Sequence, residues 1–477
     1  MKRVGSVLAL IFVSLLCLPP PAWAAGSEYF LDGAGLSPLW MIPFICMLFS
    51  LALMPLLAPH FWHGNFGKIA VFWAAAFVVP CAVIFGPGFA LHQVLHAMLL
   101  EYAPFILLML ALFTVSGGIC VTGDLAGSPR VNLGILAIGT VLASWMGTTG
   151  ASMLLIRPLL RANAHRQYRV HSVVFFIFLV SNIGGTLTPL GDPPLFLGFL
   201  KGISFFWTTT HLFCKTLVIS LILLGFYYAL DNFLFKKEGC PALPREDDAP
   251  PEKIGLKGKV NLLLLMCVVA SVLMSGMWKP GLSFDIYGTE LELQNALRDL
   301  LMVAVTLVSL RLTKPEYRAM NSFNWEPILE VAKLFVGIFI SMAPVVAILQ
   351  AGEKGALAPI IALLSDESGQ PVNYMYFWLT GLLSFFLDNA PTYLVVFNTA
   401  GGDPAFLMGE WAGTLSAISV GTVFFGAITY IGNAPNFMVR SIAVNQGVPM
   451  PSFFGYMLWS ISILFPCFAL LTVLFFI

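Results

Sequence analysis

Stretches of about twenty apolar residues recur along nearly the whole chain, divided by short polar turns. At about 1.5 Å rise per residue, roughly 20 apolar residues carry a helix across the hydrocarbon core of a bilayer. The pattern predicts such helices over 38–58, 67–86, 92–119, 206–230, 260–279, 295–312, 327–350 and 453–477. Four further segments, 131–160, 170–202, 371–400 and 412–445, are apolar but interrupted by Gly, Pro and polar residues. Segments 131–160 and 371–400 have the length for two half-helices joined at a polar tip and read as re-entrant hairpins. Segments 170–202 and 412–445 read as broken spans. The pattern therefore predicts an all-α polytopic membrane protein with about ten crossings and two hairpins.

Composition agrees. Of the 477 residues, 58% are hydrophobic and 10% are charged, against about 25% charged in soluble domains. Lys+Arg and Asp+Glu both number 24, which leaves no net field to attract nucleic acid. The eight cysteines form no C-x-x-C pair and lie mostly in apolar runs, as small buried hydrophobes do. No P-loop, nucleophile elbow or His-Glu-x-x-His occurs, so neither enzymatic activity nor a resident cofactor is expected.

Lys2-Arg3, an apolar run from Val4 to Leu18 and Ala22-Trp23-Ala24 form a signal-peptide pattern over 1–24. Such a signal predicts a bacterial inner-membrane protein whose mature N-terminus lies outside. On that topology the cytoplasmic loops and their flanks hold sixteen Lys and Arg, and the opposite side holds only Lys201, Lys279, Arg298 and Lys354. This is a positive-inside bias. The Arg157–Arg169 cluster reads as part of that topology signal, with anionic-lipid contact as a secondary role.

A hydrophilic linker, 231–259, divides a first repeat (25–230) from a second (260–477). Each half has an odd number of crossings, five, and one hairpin, so the second is expected to be inverted relative to the first. Thr188-Pro-Leu-Gly191-Asp192-Pro-Pro194-Leu-Phe196 aligns with Thr429-Tyr-Ile-Gly432-Asn433-Ala-Pro435-Asn-Phe437 at a constant offset of 241. Gly185 and Gly426 keep that offset, and the hairpin tips around Thr148-Thr149 and Asp388-Asn389 precede both. Interrupted apolar segments at matching places in inverted halves mark the binding site of a secondary transporter.

Backbone that leaves helical geometry inside lipid exposes N–H and C=O groups costing several kcal/mol each, so it must face protein, water or a ligand. Freed carbonyls with Thr and Asn oxygens form a hard-oxygen cage suited to Na⁺, whereas half-helix N-termini favour an anion. A carboxylate at mid-membrane costs roughly 2.5–3.5 kcal/mol and normally serves ion or proton transfer. Asp192 and Asp388 are therefore candidate ion ligands, and each could instead cap the half-helix that follows it. Lys333 is either a counter-charge or a snorkelling residue, Glu101 is either interfacial or functional, and His92-x-x-x-His96 has the spacing of a metal pair without further ligands.

Ser181-Asn-Ile-Gly-Gly-Thr-Leu-Thr-Pro-Leu-Gly-Asp-Pro-Pro, Leu387-Asp-Asn-Ala-Pro-Thr-Tyr and Tyr430-Ile-Gly-Asn-Ala-Pro-Asn-Phe-Met resemble signatures of the bacterial sodium:proton antiporter / citrate transporter family of the ion transporter superfamily. The resemblance covers nearly all of the chain after the signal. It implies a scaffold domain and a transport domain, inverted repeats and elevator-like alternating access, often in a homodimer. It places binding groups at Thr148, Thr149, Asp388, Asn389 and Thr392 in the tips. In the unwound helices it places them at Asn182, Thr186, Thr188, Asp192, Thr429 and Asn433. No tip reads Ser-Asn-Thr as in the superfamily's dicarboxylate carriers, and acidic residues stand in the motifs. That departure favours Na⁺/H⁺ antiport, with Asp192 and Asp388 as Na⁺ ligands, over the alternative of Na⁺- or H⁺-coupled uptake of citrate or a dicarboxylate.

Overall fold

The structure, a computed structural model, describes residues 29, 31–123, 125–240 and 253–477. The expected signal segment and the centre of the linker lie outside the described residues. Sixteen principal helices follow in order: α1 (Ile42–Leu57), α2 (Pro59–Phe85), α3 (Pro87–Ser116), α4 (Pro129–Met146), α5 (Thr148–Ala162), α6 (Val170–Leu179), α7 (Pro193–Leu200) and α8 (Phe205–Lys237). The second half holds α9 (Val260–Met277), α10 (Leu293–Leu312), α11 (Glu326–Gln350), α12 (Asn373–Phe386), α13 (Asn389–Thr399), α14 (Ala412–Phe425), α15 (Ala434–Asn445) and α16 (Phe453–Phe475). Among the described residues, nine helical stretches are long and apolar enough to cross a membrane. This is an all-α polytopic membrane protein. The tenth expected crossing, 412–445, divides into α14 and α15, neither of which has that length alone.

Two boundaries differ from expectation. The loop expected at 59–67 is helical: α2 begins at Pro59, whose missing N–H costs nothing in a first turn. Similarly α3 starts at Pro87, and passes through a π-helical turn at Ala97–Tyr102 that contains Glu101. Two short β-ribbons were not anticipated. β1 (Cys120–Thr122) pairs with β2 (Gly255–Lys257) at the end of the linker, and β3 (Ser283–Ile286) pairs with β4 (Thr289–Glu292).

The helices pack in two groups. One consists of α1, α2, α3, α9, α10 and α11; the other consists of α4–α8 with α12–α16. The α4–α5 hairpin closes at its foot, where Asn132 and Asn163 exchange hydrogen bonds of 2.9 and 2.8 Å, and turns at Gly147 with φ +80°. Asn132 also donates to Asp231 near the end of α8, while Trp207 at the start of α8 donates to the carbonyl of Met408, which ends a short helix (Pro404–Met408) between α13 and α14. These contacts lie 24 residues apart on one helix, roughly 36 Å. The two hairpins therefore enter from opposite ends of α8, as inverted repeats require.

The unwound centres repeat the same geometry. Leu187 offers its carbonyl to Thr208 and Thr209 of α8, and its equivalent Ile428 offers its carbonyl to Ser460 of α16. Thr188 and Thr429 each donate a hydroxyl to a carbonyl near the preceding tip, Ser144 and Phe385. Gly191 lies against Gly185, and Gly432 against Gly426; an added Cβ would meet the facing carbonyl oxygen at 2.0 and 2.7 Å. In the stretch from Val170 to Leu187, 89% of the residues are buried in protein. Its freed backbone groups thus face protein rather than lipid, a setting in which such a break is tolerated.

Candidate functional site

All four interrupted segments meet at Asp192. Its carboxylate is 1% exposed. Oδ1 accepts from the Thr148 hydroxyl at 3.0 Å and from the Asn433 amide at 2.9 Å; Oδ2 accepts from the Asn389 amide at 3.0 Å. These donors come from the first tip, the second unwound helix and the second tip. Asp192 makes no side-chain cap to α7, so its carboxylate belongs to this network rather than to its own helix. Each bond to a charged acceptor contributes about 1.5–3 kcal/mol, which offsets part of the cost of burying the charge.

A shell supports these donors. The Ser384 hydroxyl, with its one proton, lies within hydrogen-bond distance of two acceptors, Asn389 Oδ1 at 2.7 Å and the Thr422 carbonyl at 2.6 Å, and so braces the Asn389 side chain. The Asn433 amide also reaches the Ser181 carbonyl and Asn182 Oδ1, and Asn182 donates to Asn436 Oδ1 at 2.7 Å. Asn436 then satisfies two carbonyls freed by the second break, those of Gly426 and Thr429. Asn182, Asn433 and Asn436 thereby tie one unwound helix to the other.

Asp388 has a different place. It caps α13, accepting from the Ala390 N–H at 3.0 Å, and it also lines a cavity. The cavity encloses about 720 Å³ of empty space, part of it open, between the tips and the other helix group. One wall carries Thr148, Thr149, Asp388 and Asn433; the other is apolar, with Met109 and Phe113 of α3 and Ile328, Val331 and Phe335 of α11. The first turn of α5, Pro193 of α7, the cap of α13 and Ala434 of α15 all contribute, so four half-helix N-termini border one space.

The remaining expected residues do not reach the carboxylate. Thr186 donates to the Ile183 carbonyl and Thr392 to the Asp388 carbonyl, while Thr188 and Thr429 brace the tips as described. Ser384 and Asn436 belong to the network although they stood outside the expected set. The signal for Asn436 was its position three residues after Asn433, one turn along the same helix face. Lys333 is exposed with its ammonium 5.2 Å from the Phe66 ring, so it is no counter-charge to the site. His92 bonds the Gly288 carbonyl, and no cluster of metal-binding side chains occurs among the described residues. Arg166 is more than a topology signal: it is buried against Asp231 at 2.6 Å and Glu238 at 3.4 Å.

Glu101 pairs with Lys201 at 2.5 Å, which links the π-turn of α3 to the residue after α7. Partly exposed pairs contribute up to about 1 kcal/mol. Glu101→Gln is therefore expected to change the transport rate by at most about fivefold, and the exchange Glu101→Lys with Lys201→Glu to restore it. Initial-rate assays in vesicles would check this.

Residues 33–476 match the model of a family described as "Putative citrate transport". Similar proteins include an uncharacterized transporter of Mycobacterium bovis and one of Mycobacterium tuberculosis, each 26% identical over 333 residues that cover 68% of this chain and 72% of the relative. A 46 kDa membrane protein of Mycobacterium leprae is 24% identical over 332 residues, with the same coverage. With two hairpin tips and two unwound helices converging on one buried carboxylate, and with a match over residues 33–476, the chain belongs to this membrane transporter family.

Proposed function

We propose that this protein is a secondary transporter that exchanges Na⁺ for H⁺ by alternating access, with Asp192 and Asp388 as the ion-binding carboxylates. The charge inventory carries the reading. Among the described residues, Asp388 is the one ionisable side chain on the cavity wall, with no Lys, Arg or His beside it, and Asp192 sits one hydrogen-bond layer behind. Such a wall attracts a cation and repels a tricarboxylate. Carboxylate, hydroxyl and amide oxygens are hard donors that suit Na⁺. A carboxylate oxygen accepts either a proton or a cation, so the same oxygens can carry Na⁺ or H⁺ in turn.

The geometry links occupancy to movement. Thr148 and Asn389 donate to different oxygens of Asp192 from tips that enter from opposite sides. Withdrawal of the second tip leaves Oδ2 open to an ion from that side, and withdrawal of the first leaves Oδ1 with the Asn433 amide as its remaining donor. The bacterial inner membrane as location and a homodimer as assembly belong to this reading, supported by the signal pattern, the charge bias and the family resemblance.

A second reading has its own support. Four half-helix N-termini border the cavity, their dipoles favour an anion, and the family description names citrate. In that case Asp192 and Asp388 hold the coupling cation beside the carboxylate substrate. Asp388→Asn tests the shared element: exchange or coupled uptake is expected to be lost while membrane insertion is retained. Undiminished Na⁺-driven proton flux in that variant would remove Asp388 from the site.

A further inference from the structure

Helix α5 carries Gly150, Leu154, Arg157 and Arg161 at spacings of four, three and four, which places them on one face. Gly150 lines the central cavity. Further along the same seam, Leu154, Arg157, Pro158 and Arg161 line a second, polar cleft that encloses room for about one water and is otherwise open at its mouth. Its opposite wall is β1 with Met320 and Asn321. Arg161 donates to the Val121 carbonyl at 2.8 Å, whereas Nη1 of Arg157 is buried with no hydrogen-bond partner. The arginine–carboxylate pairs among the described residues belong to Arg166 and Arg298; neither Arg157 nor Arg161 has one.

A topology signal requires only that an arginine reach water, and the long stem usually allows that. A guanidinium N–H buried without a partner is costly and points to a missing acceptor. Arg157 has this unpartnered N–H and Arg161, one turn along, is exposed and bonded to Val121; two guanidinium forks so placed, with no acid to neutralise them, match the charge and geometry of a phosphate group.

We propose that the cleft between α5 and β1 binds a phosphate group through Arg157 and Arg161. The group is either the headgroup of an anionic lipid or free phosphate from the side that the charge bias marks as cytoplasmic. Bound there, it bridges the two helix groups at the end of their seam, on the helix whose first residue, Thr148, holds Asp192. The proposal is independent of which ion or substrate the central cavity carries.

The test is thermal unfolding of the full-length protein in detergent, with phosphatidylglycerol, phosphatidylcholine or inorganic phosphate added separately. Phosphatidylglycerol or phosphate is expected to raise the unfolding temperature by a few degrees, because a ligand that binds only the folded state stabilises it. A response to phosphatidylglycerol alone assigns the site to lipid, and one to phosphate assigns it to the free anion. The double variant Arg157→Gln/Arg161→Gln is expected to lose the shift. Arg157→Lys/Arg161→Lys, which keeps the charge and loses the fork, is expected to retain part of it and covers the case in which the glutamine variant does not fold. No response in the unaltered protein, or an equal response in all the variants, would overturn the proposal.

Discussion

Asp192→Asn is expected to reduce transport by at least about 100-fold, equivalent to about 2.7 kcal/mol of lost stabilisation. The change is nearly isosteric but replaces one acceptor oxygen with a donor. Thr148, Asn389 and Asn433 all direct donors at this group, so one of them must face an N–H in place of an oxygen. A donor left unpaired in a buried site costs about 1–3 kcal/mol. Asp192 and Asn433 occupy equivalent places in the two repeats and touch at 2.9 Å. The exchange Asp192→Asn with Asn433→Asp is therefore expected to recover more stability than Asp192→Asn alone retains, because it restores one carboxylate and its donors. Unfolding temperatures in detergent, beside initial rates in vesicles, would show whether it does.

Gly191→Ala is expected to be the most damaging single methyl in the molecule's centre. The added Cβ would lie 2.0 Å from the Gly185 carbonyl oxygen and 2.6 Å from its carbon, both backbone atoms within the break. Gly191 also accepts the Thr148 N–H at 2.8 Å, so relief of the clash displaces the first tip. Overpacking alone costs about 1–3 kcal/mol, and loss of the tip's bond to Asp192 adds to that. Folded yield and transport should fall together. Gly134→Ala, where nothing lies within 4 Å of the new methyl, is the matched control and should be near neutral. Equal behaviour of the two variants would show that the Gly185–Gly191 contact does not hold the break.

Hydropathy made the crossings legible because lipid imposes one rule on every spanning segment. The breaks were legible because Gly184-Gly185 and Pro189 through Pro194 cannot continue a helix, and the structure interrupts α6 and α7 there. The start of α2 was not legible: His60, His63, Gly64, Asn65 and Gly67 read as a turn, yet Pro59 opens a helix that carries them. The β3–β4 ribbon could have been found from Tyr287-Gly288, both at positive φ in a two-residue turn, flanked by Phe284, Ile286 and Leu291.

Within the site, Asp192, Thr148, Asn389 and Asn433 were visible as polar residues in interrupted apolar segments. Their mutual contacts were not, since they join residues up to 241 positions apart. Thr186, Thr188, Thr392 and Thr429 looked equivalent to Thr148 in sequence. The structure separates them, because a threonine beside a broken helix can satisfy a freed carbonyl as readily as it can bind an ion. Asp388 combines both roles expected for it in part: it caps α13 and faces the cavity.

Antiport requires the two carboxylates to exchange a proton for a cation across the membrane. Proton flux in proteoliposomes, followed with an internal pH dye while Na⁺, Li⁺, K⁺ and then citrate are added separately, tests it most directly. Na⁺ alone is expected to produce a pH change that is absent in Asp388→Asn. Silence to every cation, with uptake of labelled citrate that depends on Na⁺ or a proton gradient, would contradict antiport and make the same carboxylates the coupling-ion ligands of a symporter.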